Sequence, residues 1–189
     1  GPGAPAFVWC HPRLVERCWQ PISGWLGHAA PFEFTPGYRP APGIGRYLCG
    51  TPPVLSMAAL ECGVDSLLAA EPLGGLEALR EKSIALSESF IRLVEDRCAG
   101  LGLSLVTPRE AVQRGSQVSF AHAAGFPVMQ ALIARRVLGD FRAPDLLRFG
   151  ITPIYTRHVD VWDAVEQLRT VLEREEWREE RFNVRGAVT

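Results

Sequence analysis

Between residues 20 and 53 the chain carries prolines at 21, 31, 36, 40, 42, 52 and 53 and glycines at 24, 27, 37, 43, 45 and 50. This density constrains everything around it. Proline fixes φ and removes a backbone donor, and glycine frees the backbone, so no long helix or strand is expected there. A loop of this length inside a compact chain is uncommon and, when ordered, serves a binding site or an interface. The 189 residues, 47% hydrophobic and 22% charged, otherwise suit a globular chain with one sizeable core.

On either side of the loop the pattern is regular. Residues 6–10 (Ala-Phe-Val-Trp-Cys) read as a short buried strand between proline turns. Residues 54–69 read as a buried helix. Leu76, Leu79, Leu86, Phe90 and Leu93 recur at helical spacing and mark one face of a long amphipathic helix ending at Gly100. Glu77, Arg80, Glu81, Lys82, Glu88, Arg92 and Glu95 populate its solvated face, with Glu88 four residues before Arg92. Beyond Gly102 come short β-like runs at Leu103–Val106, Gln117–Ala121, around Phe141 and at Leu146–Ile151. Helices over Phe126–Val137 and about residues 160–176 interleave with them, Asp160 serving as N-cap of the second. The expected division is residues 1–74, loop-rich with its helix, and residues 75–189, a small two-layer α+β domain.

Composition removes several classes of function. A net charge of −1 leaves no basic surplus for phosphates, so nucleic acid is not an expected partner. No run of about 18 apolar residues exists to span a bilayer, and no charged-then-apolar leader opens the chain, which points to a cytoplasmic protein. The opening Gly1-Pro2-Gly3-Ala4-Pro5, with no initiator methionine, reads as mid-protein sequence or as the scar of a cleaved tag. Cys10, Cys18, Cys49, Cys62 and Cys98 are odd in number and form no C-x-x-C, so they are expected as reduced thiols.

Three places could carry chemistry. In Ser23-Gly24-Trp25-Leu26-Gly27-His28 an aromatic ring and an imidazole stand among glycines that let backbone approach a ligand or hold an anion; the alternative is a tight turn with a packed Trp and a hydrogen-bonded His. Gly43-Ile44-Gly45-Arg46 and Gly50-Thr51-Pro52-Pro53 precede a helix start, which suits a phosphate as well as it suits plain capping. Arg148, inside the apolar run Leu146–Ile151, must pair or leave the core; a substrate carboxylate, solvent, Asp140 or Asp145 would each satisfy it, and Arg142 is as ambiguous. Lys82, the only lysine, lies between Glu81 and Ser83 on the charged helical face, where an imine-forming lysine is not expected. His11, His122 and His158 show no metal-ligand spacing, and Cys49 reads as a small packing residue.

Four ordered segments together resemble the kynureninase family of bacteria: Gly1-Pro2-Gly3-Ala4-Pro5-Ala6-Phe7, Pro21-Ile22-Ser23-Gly24-Trp25-Leu26-Gly27-His28, Gly50-Thr51-Pro52-Pro53-Val54-Leu55-Ser56 and Arg148-Phe149-Gly150-Ile151-Thr152-Pro153-Ile154-Tyr155. Gly139-Asp140-Phe141-Arg142-Ala143-Pro144-Asp145 lies between the last two. The resemblance implies an overall α/β architecture, fold type I of the pyridoxal-phosphate (PLP) enzymes. This chain would hold the end of the large domain and the α+β C-terminal domain. It further implies a homodimer with PLP as cofactor, hydrolysing L-kynurenine or its 3-hydroxy form to the corresponding anthranilate and L-alanine in tryptophan catabolism.

By the same resemblance Trp25 and Thr51 contact the cofactor phosphate and Arg148 grips the substrate's α-carboxylate. The family's cofactor-bearing lysine lies just before the Gly-Pro-Gly-Ala-Pro segment, so it is expected upstream of residue 1, and residues 1–189 alone are expected to be inactive. Two other readings stay open on sequence: a non-catalytic remnant or interaction module, and another fold type I enzyme such as a relative of cysteine desulfurases.

Overall fold

A computed structural model describes residues 3–184, so Gly1 and Pro2 of the opening segment lie outside the described residues. The chain forms two compact units, Gly1–Ser66 and Leu67–Thr189.

The first unit is mostly turns. Helix α1 (Pro12–Val15) is a single turn, with His11 Nδ1 accepting from the Arg13 N–H at 3.2 Å. Three 3-10 turns follow at Trp25–Gly27, Pro31–Glu33 and Gly43–Tyr47, then helix α2 (Val54–Leu68). Val15, Gly27 and Arg46 are its buried residues among those described. The expected strand over residues 6–10 does not form: Phe7, Val8 and Trp9 are exposed, and a strand needs a neighbour for its backbone groups. Helix α2 forms where periodicity places it, but no residue of it is buried, which corrects the expectation of a buried helix. Apolarity demands a covering surface without supplying one.

The second unit carries a conventional core. Helix α3 (Gly75–Arg97) leads to strands β1 (Ser104–Leu105) and β2 (Gln117–Ala121), helix α4 (Gly125–Ala134), strands β3 (Asp140–Arg142) and β4 (Leu146–Gly150), helix α5 (His158–Glu173) and the short α6 (Glu180–Asn183). The strands form one antiparallel sheet in the order β1-β2-β4-β3, with Val118 opposite Phe149 and Phe120 opposite Leu147. Those four side chains pack against Leu86, Phe90 and Val94 of α3, Val128 and Leu132 of α4, and Val165 and Leu168 of α5. Each such side chain contributes about 1.5–3 kcal/mol when buried. Phe90 lies at the centre, its ring 5.0 Å from that of Phe149 and 6.1 Å from that of Phe120.

The buried stripe of α3 is Ser83, Leu86, Ser87, Phe90, Ile91 and Val94, so the helix is turned from the expected face: Leu76 is exposed, and Ile91 and Val94 are inside. Helix α5 begins two residues before its expected start. Asp160 is its third residue and accepts from the Arg157 N–H at 2.7 Å, so it caps from within the first turn.

Several buried polar side chains in this unit find partners inside it. Arg114 donates to the Glu88 carboxylate and to the Pro108 carbonyl, and Ser83 and Ser116 share a 2.7 Å hydroxyl hydrogen bond. Burial pushes the Cys98 thiol up to about 11. Among the described residues no helix is long and apolar enough to cross a membrane.

Phe90→Ala should cost about 3–5 kcal/mol of stability, because a large cavity opens between helix and sheet, and urea unfolding would read it. His122 supplies a pH dependence. Its ring is half-buried beside Trp177, Nδ1 accepts from the Ala124 N–H at 3.0 Å, and burial lowers its pKa below the ordinary 6.5. The unfolded chain therefore takes up this proton first, so stability falls as the pH drops below 6.5. His122→Gln should flatten that part of the stability–pH curve, and an NMR titration of the ring should give a value under 6.5.

Candidate functional site

Both glycine-rich segments of the first unit meet. A Cβ on Gly24 would lie 1.6 Å from the Cys49 carbonyl oxygen, and one on Gly27 would lie 2.7 Å from that of Arg46. Backbone therefore packs on backbone at two points, which only residues without side chains permit. The Ala41 N–H closes the same junction on the Gly27 carbonyl at 2.8 Å, and Tyr38 Oη donates to that carbonyl at 3.1 Å. The segments bearing Trp25 and Thr51 are thereby held together.

Trp25 is half-exposed and meets Phe32 edge to face, ring centres 5.7 Å apart. With His28, Pro31, Phe34 and Tyr38 it lines an open pocket of about 380 Å³. His28 is fixed at both ring nitrogens: Nδ1 accepts from the Ala30 N–H at 2.9 Å and Nε2 lies 3.1 Å from the Gly37 carbonyl. Nδ1 must be the bare nitrogen, so Nε2 carries the proton and donates. Thr51 is exposed, three residues before α2 begins.

The first glycine loop already holds an anion. Glu16 Oε1 accepts from the Gly43 N–H at 2.7 Å, and its other oxygen pairs with Arg46 Nη2. Arg46 also donates from Nε to the Ala41 carbonyl at 3.1 Å and from Nη1 to the Glu16 carbonyl at 3.3 Å. A loop that sequence offers to a phosphate is thus engaged by a carboxylate thirty residues away. The phosphate reading passes to the Gly50–Pro53 segment. Sequence reasoning missed Glu16, because a pair that distant leaves no local signature.

In the second unit Arg148 lies on β4 between Leu147 and Phe149, opposite Ser119 of β2 and Asp140 of β3. Its Nη2 pairs with Asp140 Oδ2, and Arg142 Nε lies 3.7 Å from the same oxygen. The Arg148 side chain is 26% exposed, whereas its Nε is buried and has no hydrogen-bond partner among the described residues. Of the candidate partners, Asp140 is the one the geometry selects. Lys82 differs from its expected solvated setting: it is half-buried, and Nζ donates to the Pro153 carbonyl at 2.7 Å. Among the described residues no group of three or more His, Cys, Asp or Glu is arranged to hold a metal ion.

This architecture corresponds to part of fold type I. It is similar to a solved mutant of C-DES with glycine covalently linked to its PLP cofactor, at a TM-score of 0.67 and 19% identity over 88% of this chain and 43% of that one. Residues 79–168 match the family model described as the kynureninase C-terminal domain. Over all 189 residues the chain is 56% identical to Kynureninase of Burkholderia mallei (strain SAVP1) and of Burkholderia pseudomallei (strain K96243), and 51% identical to Kynureninase of Pseudomonas fluorescens. Residues 79–168 are thus similar to the kynureninase C-terminal domain, and the whole chain is similar to enzymes named Kynureninase. It spans 44% of the length of those relatives.

Gly24→Ala should force the Trp25 and Thr51 segments apart. Amide hydrogen exchange over residues 43–50 should rise by about tenfold or more, since displacing packed backbone costs more than the 1.4 kcal/mol that a factor of ten represents.

Proposed function

We propose that this chain is the C-terminal portion of a PLP-dependent kynureninase. In that reading it supplies part of the cofactor's phosphate site and the arginine that holds the substrate. The observation that carries the reading is Arg148, a guanidinium fixed on a strand between two core residues with its head turned away from the core. Whole-chain identity of 56% to enzymes named Kynureninase supports the same assignment over an interaction module or a desulfurase relative.

The residues present fit the cofactor. Trp25 and Thr51 are both exposed and carry neutral donors, an indole N–H and a hydroxyl, and Thr51 stands before α2, whose first N–H groups suit a phosphate. Bound PLP supplies the electron sink for cleaving the carbon–carbon bond. Lys82, the chain's only lysine, is engaged by Pro153, so the lysine that carries PLP is assigned to the remaining length of the family's chain.

Arg148 binds the α-carboxylate of L-kynurenine, or of its 3-hydroxy form, as a planar fork that fixes both position and rotation. Holding that end leaves the scissile bond in one orientation, which is how binding energy lowers the barrier. Water is consumed, and the products are the corresponding anthranilate and L-alanine, a step of tryptophan catabolism toward NAD. A cytoplasmic homodimer completes the proposal. The five free thiols suit a reducing compartment, and the exposed apolar residues of the first unit suit a subunit interface.

In the full-length enzyme Arg148→Ala should lower kcat/KM for L-kynurenine by about 100-fold, since a charge-assisted contact of roughly 3 kcal/mol is lost. The loss should appear mainly in KM, while PLP affinity, read by cofactor absorbance, stays within about twofold. Loss of PLP binding instead would move Arg148 out of the substrate site.

A further inference from the structure

The Arg148 clamp has a second carboxylate in contact with it. Asp140 is the first residue of the edge strand β3, faces Arg148 across the ladder, and pairs through Oδ2 with Arg148 Nη2. Arg142, two residues on and therefore on the same face of β3, brings its Nε to 3.7 Å from that oxygen. One carboxylate thus stands between two guanidiniums. They differ in setting: Arg148 is 26% exposed with a buried Nε, and Arg142 is 64% exposed.

We infer that Asp140 is a positioning residue: an internal counter-ion that the substrate's carboxylate must displace from Arg148, and that Arg142 then retains. The inference rests on the proposed clamp. Two carboxylates at one guanidinium repel each other, so a ligand carboxylate and Asp140 compete for Arg148. Asp140 is half-exposed on a three-residue edge strand, so its release breaks only a solvent-screened pair. Arg142 gives the released carboxylate a partner on its own strand. Selectivity follows, because a ligand lacking a carboxylate cannot replace Asp140 and leaves the pair in place.

The test is steady-state kinetics on the full-length PLP-loaded enzyme with L-kynurenine. Asp140→Asn keeps the shape and removes the competing charge, so KM should fall about two- to fivefold with little change in kcat, the size expected of an exposed ion pair. Asp140→Ser should give the same direction with a second side chain. In an Arg148→Ala background the Asp140→Asn effect should vanish. A raised KM in Arg148→Ala together with a raised or unaltered KM in both Asp140 variants would overturn the displacement and leave the clamp standing. An unaltered KM in Arg148→Ala would overturn the clamp, and the inference with it.

Discussion

Leu147 and Phe149 point into the core, and successive strand residues face opposite sides of a sheet, so Arg148 between them must lie on the other face. The candidate site depends on this constraint. The core specifies the register of β4 through Val118 opposite Phe149 and Phe120 opposite Leu147, and a slip of one residue would drive a guanidinium among phenylalanines. Packing around Phe90 therefore does more than stabilise the second unit. It also sets the face on which Arg148 stands, the position the proposed clamp requires.

The first unit is organised by polar geometry. Arg46 is buried and uses all three of its nitrogens, two of them on Glu16, while Gly24 and Gly27 bring backbone onto backbone. Hydrogen bonds to charged groups are strong and directional, so a few can define a loop that has almost no apolar interior. The arrangement also explains the need for two glycine-rich segments. One closes on Glu16 and Arg46, and the other is left free of that task at the start of α2.

Legibility in the sequence followed locality. Strand β2 was readable to the residue and β4 nearly so, because alternation and β-branched content are local, and α3, α4 and α5 were readable from their period. The face of α3 is only partly legible: Leu86 and Phe90 are buried and Leu93 packs against the core, but Leu76 continues the apolar period beyond the covered surface, while Ile91 and Val94 sit one position off it. Arg148 is recognisable as a cation that must pair, yet Asp145 is the nearer carboxylate in sequence, and only the β3–β4 register selects Asp140. Glu16 was invisible, since its partners lie beyond a loop whose path no local rule predicts.

Helix α2 and the segment around Phe7 to Trp9 show where sequence and structure disagree for a common reason. Val54, Leu55, Met57, Leu60, Val64 and Leu67 are each at least 38% exposed, and Phe7, Trp9, Phe32 and Phe34 are more than 70% exposed. Soluble monomers rarely leave so many large apolar side chains in water within one small unit. Reading α2 as buried was a statement about its composition, and finding it exposed is a statement about which surfaces these 189 residues contain. The two agree if the covering surface belongs to another polypeptide segment, as the relatives' greater length allows. In the proposed reading the first unit is then one side of an interface. A polar-locked loop suits that position, because it keeps its shape without a core of its own and still presents an apolar face to be covered.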